Sequence, residues 1–159
     1  MKACGSFRSQ SAFTLIELIV VLILMGILSA VTLPRFFDIN VFQRRGFFDE
    51  AIGATRYAHK RAIASGCDVR VSFSAAGYSL DQRAACAGAF GTQLNNPGTG
   101  LSFSNNSPPA GTTITSDTFY FDRAGQPRNP DTSLRSAVSS ISIGSESFSI
   151  EPFTGYVHP

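Results

Sequence analysis

The feature that most constrains this chain is an apolar run near its N-terminus, FTLIELIVVLILMGILSAVTLP, from Phe13 to Pro34. At 1.5 Å of rise per residue, a helix of this run would be about 30 Å long, the thickness of a bilayer's hydrocarbon core. One acid, Glu17, interrupts the run. An ionised carboxylate in an apolar span is costly, so it marks a functional position that needs a partner. We therefore predict a single-pass membrane helix over residues 13–33.

The residues before the run supply that partner. A short leader, residues 1–12, contains Lys2 and Arg8 and ends in the small residue Ala12. Cleavage after Ala12 would make Phe13 the new N-terminus and Glu17 the fifth residue of the mature chain. The free amine would then lie about one helical turn from the carboxylate. The same pair can form between parallel copies of the helix, where each charge lowers the desolvation cost of the other.

This N-terminal string, A|FTLIELIVVLILMGILSAVTLP, resembles the type IV prepilins. The resemblance implies cleavage between Ala12 and Phe13 on the cytoplasmic side, N-methylation of Phe13, and a role for Glu17 in subunit assembly. It also implies a helix kink at Pro34, where many pilins have a proline. One departure is Ala12 itself, because the family usually has glycine before the cut.

Two other interpretations of the same residues stay open. The segment is also compatible with an ordinary secretory signal, with Leu28-Ser29-Ala30 as a small-residue cleavage site. The apolar run is long for such a signal, and Glu17 would then have no purpose. A simple signal anchor is the second alternative.

The charge balance argues against a nucleic-acid partner. The chain has 13 Lys and Arg against 11 Asp and Glu, and loss of Lys2 and Arg8 with the leader leaves 11 of each. The basic isoelectric point is thus partly a leader effect, and no electrostatic footprint for nucleic acid follows from it. Charged residues are 15% of the chain, below the roughly 25% of a typical soluble domain.

The cysteines indicate an exported, oxidised domain. Cys4 lies in the leader, which leaves the pair Cys67 and Cys86 in the mature chain. An even pair in an exported domain favours a disulfide, and two free buried thiols are the alternative. Closing a loop of about 20 residues stabilises by roughly 3 kcal/mol. There is no C-x-x-C motif, so neither a metal site nor any other cofactor is expected.

The remaining sequence changes from a helical period to a period of two. An amphipathic helix is predicted from Arg35 to Ser65, and alternating residues predict a β-hairpin over 68–83. Residues 84–112 are rich in Gly, Asn, Ser and Pro and predict a long loop with one short strand at Leu101–Phe103. The sequence then predicts a strand over 113–122, followed by a hairpin of Ser139–Ile143 with Ser147–Ile150.

This order of elements predicts an α+β protein with the type IV pilin fold. Its long N-terminal helix, transmembrane in the first half and amphipathic in the second, would pack on an antiparallel β-sheet domain. The predicted divisions are a leader (1–12), a transmembrane or filament-core helix (13–33), its amphipathic continuation (34–66) and a globular β domain (67–159).

Two C-terminal segments carry a second resemblance. FYFDRAGQP (residues 119–127) and SISIGSESFSIEPFTGYV (residues 140–157) are similar to minor pseudopilins of the GspH/FimT type and to minor pilins of the mannose-sensitive haemagglutinin (MSHA) type. The matching turns are Phe121-x-x-x-Gly125-x-Pro127 and Thr154-Gly155-x-Val157. Gly125 permits a positive φ, and Pro127 fixes the exit of its turn.

Signals for enzymatic chemistry are weak. His59 and His158 belong to no nucleophile or metal motif. Asp117 and Asp122 are interpreted as solvated loop acids. A basic stripe on the helix is interpreted as a solvated face, with neighbouring acids or lipid head groups as the alternative; it comprises Arg44, Arg45, Arg56, Lys60 and Arg61. The paired phenylalanines are expected to contact other subunits; they are Phe36, Phe37, Phe47 and Phe48.

The sequence therefore predicts a structural subunit and no enzyme. The first hypothesis is a minor pilin that takes part in assembly of an MSHA-type adhesion pilus. The second is a GspH-type minor pseudopilin of a type II secretion system, and the third is a tip pilin whose 84–112 loop binds a ligand or DNA. The expected partners are other pilin subunits, the prepilin peptidase and methyltransferase, and an inner-membrane assembly platform. The globular domain is expected in the periplasm before assembly.

Overall fold

A computed structural model describes residues 13–36 and 39–159, with the backbone alone over 30–36. The chain divides into two compact units, Met1–Asp38 and Ile39–Pro159, and each is described by itself. The leader with Ala12 lies outside the described residues, as do Phe37 and Asp38. The predicted continuity of one long helix falls on these last two positions and stays a prediction.

The first helix, α1, spans Leu15–Phe36. Thr14 caps its start, because the backbone N–H of Glu17 donates to Thr14 Oγ1 at 3.3 Å and to Thr14 O at 3.1 Å. The helix extends two residues past Pro34, and the kink there stays a prediction. Over the described residues, no helix meets the length and apolarity of a membrane span. The span over 13–33 also stays a prediction.

The second helix, α2, spans Ile39–Ser65. One face of the helix is buried, and most of the side chains on that face are small. The buried residues are Phe47, Phe48, Ala51, Ile52, Ala54, Thr55, Ala58 and Ala62. The alanines let a sheet approach the helix closely. The helix ends where the sequence predicts, at Ser65, because Gly66 adopts a φ of +65° and donates its N–H to Ala62 O at 3.0 Å.

The first sheet is antiparallel throughout. Its strands are β1 (Val69–Ser74), β2 (Gly77–Arg83), β3 (Phe90–Gln93), β4 (Ser104–Asn105), β5 (Asp117–Phe121) and β6 (Pro127–Arg128). The strand order is β3-β2-β1-β5-β6, and β4 pairs with β2. Val69, Val71 and Phe73 point into the core and alternate with half-buried or exposed residues, as the period of two predicts.

The second sheet comprises β7 (Ser139–Ile143), β8 (Glu146–Ile150) and β9 (Val157–His158). The hairpin of β7 and β8 places Ile141 opposite Phe148, and both side chains are fully buried. A bridge between Ile114 and Ile143 continues this sheet on its outer side. The predicted C-terminal hairpin is therefore present.

Aromatic side chains join α2 to both sheets. The Phe48 ring lies 6.0 Å from that of Phe148, and Phe148 lies 6.0 Å from Phe73 of the first sheet. Phe47 packs edge-on against Tyr78 at 5.8 Å. The α+β prediction is confirmed: a helix packs on antiparallel sheets, which is consistent with the pilin fold.

The structure corrects the prediction for residues 84–112. The short strand expected at Leu101–Phe103 is wrong; β4 lies at Ser104–Asn105, and β3 lies in the part predicted as loop. Phe103 still binds the sheet edge, because its N–H donates to Leu94 O at 2.6 Å and its carbonyl accepts from Leu80 N at 3.1 Å.

Four aromatic or acidic residues also lie elsewhere than expected. Phe47 and Phe48 are core residues, 4% and 3% exposed, and do not face other subunits. Asp117 and Asp122 are not solvated loop acids. Asp117 pairs with Arg135 at 2.7 Å, and Asp122, which is 9% exposed, pairs with an arginine described below. Phe36 and Phe37 have no described side chains.

Candidate processing and assembly site

Glu17 lies in the first turn of α1, and Phe13 lies two residues before that helix, so the two are about one helical turn apart along the chain. Phe13 is 76% exposed, and the side chain of Glu17 is also exposed. Among the described residues, no Lys or Arg forms an ion pair with Glu17. An acid presented in this way is available to an amine from its own chain or from a second copy.

The described part of α1 exposes apolar side chains on all sides. Those from Phe13 to Leu28 are between 42% and 77% exposed. They are Phe13, Leu15, Ile16, Leu18, Ile19, Val20, Val21, Leu22, Ile23, Leu24, Met25, Ile27 and Leu28. A helix that is apolar all round is stable only when lipid or other helices cover it. This segment therefore needs an apolar environment from outside its own unit.

The polar side chain of Ser29 suits that environment. Its hydroxyl donates to the carbonyl of Met25 at 2.7 Å, so the donor is satisfied within the helix. An unsatisfied hydroxyl in lipid or in a helix-packed core would be costly, and this internal bond removes that cost.

In the second unit, Asp122 organises the turn between β5 and β6. Its Oδ1 accepts the backbone N–H groups of Ala124 and Gln126, both at 2.9 Å. Its Oδ2 accepts from Arg128 Nε at 2.6 Å. The side chain of Asp122 is only 12% exposed, so these bonds compensate a largely buried charge. The sequence alone gives no signal for this role, because the turn motif ends at Pro127 and does not indicate that Arg128 pairs back to Asp122.

The two turns that carry the C-terminal resemblance pack against each other. Gly125 and Gly155 have φ values of +80° and +66°. A Cβ atom on Gly155 would clash with the carbonyl oxygen of Gly125 and would lie 2.9 Å from His59 Cδ2. Only glycine fits both positions, because each combines a left-handed backbone with close packing. The turns therefore form one junction on α2.

His59 packs against this junction. Its Nε2 lies 3.1 Å from the carbonyl of Thr154, and its ring packs edge-on against Phe121 at 5.1 Å. Burial lowers the pKa of His59 from its ordinary value, and the Thr154 carbonyl partly offsets this effect. These contacts assign His59 to packing. His158 lies apart and contacts Glu151, with 3.1 Å between Nε2 and Oε1.

The predicted basic stripe is partly paired within the chain. Arg45 forms ion pairs with Glu146 and, at 3.4 Å, with Asp49. Arg56 donates from Nε to the carbonyl of Val157 at 3.1 Å, which ties α2 to β9. These residues therefore hold the domain together as well as facing solvent.

The cysteine prediction is matched by the structure. Cys67 and Cys86 form a disulfide, with their Cα atoms 4.5 Å apart. The bond ties Cys67, the second residue after α2, to the connection between β2 and β3. Within the described residues, no group of three or more His, Cys, Asp or Glu is placed to hold a metal ion.

Comparison with known proteins identifies the N-terminal segment. Residues 7–33 match the family described as the prokaryotic N-terminal methylation motif. This match includes Ala12, Phe13 and Glu17 and covers the N-terminal segment, whose motif is that of type IV prepilin-like proteins, the group that contains pilins and pseudopilins. The motif implies processing by a prepilin peptidase. No curated protein and no solved structure matches the chain significantly.

Proposed function

We propose that this chain is a minor pilin that takes part in assembly of an MSHA-type adhesion pilus. The observation that carries the proposal is the methylation motif over residues 7–33, with Glu17 in the first turn of a helix whose apolar side chains are exposed. Proteins with this motif are typically structural subunits rather than enzymes.

In this proposal the chain is stored in the inner membrane through α1, with the second unit in the periplasm. The peptidase cuts between Ala12 and Phe13 and the new amine is methylated. Assembly then moves α1 from lipid into a bundle of subunit helices. Glu17 pairs there with the N-terminal amine of a neighbouring subunit, and this pair offsets the desolvation of both charges.

A GspH-type minor pseudopilin of a type II secretion system is the second candidate. The junction of Gly125 and Gly155 supports this candidate as well as the first one, because the two turns that meet there are similar in both groups of proteins. Co-purification from crosslinked cells discriminates between the candidates. Recovery of adhesion-pilus subunits supports the first, and recovery of secretion-system pseudopilins supports the second.

The experiment that tests a filament role compares variants at Glu17. Glu17→Gln keeps the size of the side chain and removes its charge. We expect the variant to be cleaved normally and to be lost from filaments sheared off the cell. Asp49→Asn, which removes an exposed acid of α2, is the matched control and should be incorporated. Equal incorporation of Glu17→Gln and Asp49→Asn would overturn the assembly role of Glu17.

A further inference from the structure

Thr14 separates helix α1 from the predicted cleavage position. Phe13 and Thr14 lie outside the helix, and Leu15 is its first residue. The carbonyl of Thr14 accepts the N–H of Leu18 at 3.2 Å, and its Oγ1 accepts the N–H of Glu17 at 3.3 Å. These two bonds define Thr14 as the N-cap residue of α1. The helix therefore begins just after Phe13, whose amide nitrogen belongs to the bond that the peptidase would cut.

The local sequence supports a cap at this position. Thr14-x-x-Glu17 is the spacing of a capping box, in which a threonine hydroxyl accepts the N–H of an acidic residue three positions later. An acid in the first turn is also favourable because it lies at the positive end of the helix dipole. Thr14 and Glu17 together therefore fix where α1 starts.

The residues before Thr14 would not stop a helix by themselves. Residues 6–13, SFRSQSAF, contain no glycine and no proline, and alanine, present as Ala12, has the highest helix propensity of all residues. The next residue upstream that can act as an N-cap is Ser11. A helix capped at Ser11 would include both Ala12 and Phe13 in its first turn.

Such an extension would shield the bond that is cut. Within a helix, the carbonyl of Ala12 would accept the N–H of Ile16, because each carbonyl binds the N–H four residues later. Hydrolysis requires water to attack that carbonyl carbon. The C–N bond to Phe13 then breaks, the hydroxyl of the water stays on the Ala12 carboxyl group, and its proton goes to the Phe13 amine. A carbonyl held in a helical turn is poorly accessible to this attack.

We propose that Thr14 is a positioning residue for cleavage. As the N-cap of α1, it keeps the bond between Ala12 and Phe13 outside the helix, where the prepilin peptidase can reach it. The dependence on Thr14 is strong in this chain because alanine at position 12 favours the helical alternative. This inference rests on the proposed processing between Ala12 and Phe13 and names the residue that exposes that bond.

Substitutions at Thr14 test the role of its capping oxygen. Thr14→Val keeps the shape of the side chain and removes the acceptor, whereas Thr14→Ser and Thr14→Asn keep an acceptor of another shape. We expect purified prepilin peptidase to cut the full-length Thr14→Val chain in detergent about five-fold more slowly, because the fraction with an accessible bond falls. Thr14→Ser and Thr14→Asn should be cut at nearly the unmodified rate. Thr32→Val, the same substitution further along α1, is the control.

A second substitution separates capping from direct recognition of the hydroxyl by the peptidase. Ala12→Gly disfavours a helix at the cut, so the bond stays accessible even without the cap. We expect Thr14→Val to slow cleavage by less than about two-fold in an Ala12→Gly chain. An equal effect of Thr14→Val in both chains would show direct recognition and would overturn the positioning role.

The outcomes distinguish this inference from the proposed function. Cleavage of Thr14→Val at the unmodified rate, or cleavage of Thr14→Ser and Thr14→Asn as slow as that of Thr14→Val, would overturn the role of Thr14 alone. Absence of any cleavage between Ala12 and Phe13 in the unmodified chain would overturn the proposed function and this inference together. Amide hydrogen exchange provides a readout without the peptidase: the N–H of Ile16 should exchange more slowly in Thr14→Val, and unchanged exchange would contradict the helical extension.

Discussion

The carbonyl oxygen of Gly125 lies so close to Gly155 that a Cβ atom on Gly155 would clash with it. This contact joins the turn after β5 to the turn before β9, and His59 of α2 lies against both. Two turns that are separate along the chain thus form one structural unit.

Gly155→Ala should destabilise the second unit. The substitution would place a methyl group against a backbone carbonyl at a φ of +66°, so we expect the free energy of unfolding to fall by about 2–4 kcal/mol. Urea unfolding of the full chain in detergent, followed by the near-UV circular dichroism of its four tyrosines, measures this.

Gly53→Ala is the matched control for that substitution. Gly53 is an exposed glycine inside α2 with open space around its Cβ position, so alanine should stabilise by about 0.5–1 kcal/mol. A loss of stability in Gly53→Ala as large as in Gly155→Ala would contradict a specific role for the glycine contact.

Asp122→Ala should also reduce stability. It leaves the N–H groups of Ala124 and Gln126 and the guanidinium of Arg128 without their acceptor, so we expect a loss of about 2–3 kcal/mol. Asp122→Asn, which keeps one acceptor oxygen, should lose less. The same urea titration compares them, and equal stability of Asp122→Ala and the unmodified chain would refute the capping role.

Reduction of the disulfide should lower the free energy of unfolding by roughly 3 kcal/mol, because the bond closes a loop of about 20 residues in the unfolded chain. Urea unfolding with and without reductant measures the change in a Cys4→Ser chain. The double variant Cys67→Ser with Cys86→Ser should no longer respond to reductant. A response that persists there would show that reductant acts elsewhere.

The stability of the second unit should depend on pH through His59. Burial lowers the pKa of this side chain in the folded state, so below the ordinary pKa of about 6.5 the unfolded chain binds more protons. His59 therefore makes its full contribution to the free energy of unfolding above the ordinary pKa. That contribution decreases as the pH falls from the ordinary pKa toward the lower pKa of the folded state.

His59→Gln should remove this component. We expect the stability difference between pH 8 and pH 5 to be smaller in His59→Gln than in the unmodified chain, with His158→Gln as the control. The measurement is urea unfolding at each pH. An identical pH dependence in His59→Gln and the unmodified chain would contradict the account.

The sequence predicts local elements well in this chain. The hairpin of β1 and β2 follows from the alternation of Val69, Val71 and Phe73, and the end of α2 follows from Gly66. The pair of Cys67 and Cys86 follows from the count of cysteines left after the leader. Each of these signals depends on neighbouring residues, on helix or strand period, or on composition.

Non-local relationships could not be predicted in the same way. Strand β3 has no alternating apolar pattern, since three of its four residues are exposed, and only pairing with β2 defines it. The ion pair of Asp117 and Arg135 joins positions that no motif links. The sequence favours subunit contacts for Phe47 and Phe48 because it does not show how far the sheets extend, and in the structure the two sheets cover both rings.

The most direct test of the central claim is the N-terminal residue and mass of the mature protein, isolated from cells with and without prepilin peptidase. The account predicts a chain that begins at N-methylated Phe13 when the peptidase is present and a full-length chain when it is missing. A chain that begins at Val31, or one that stays uncut with active peptidase, would contradict it.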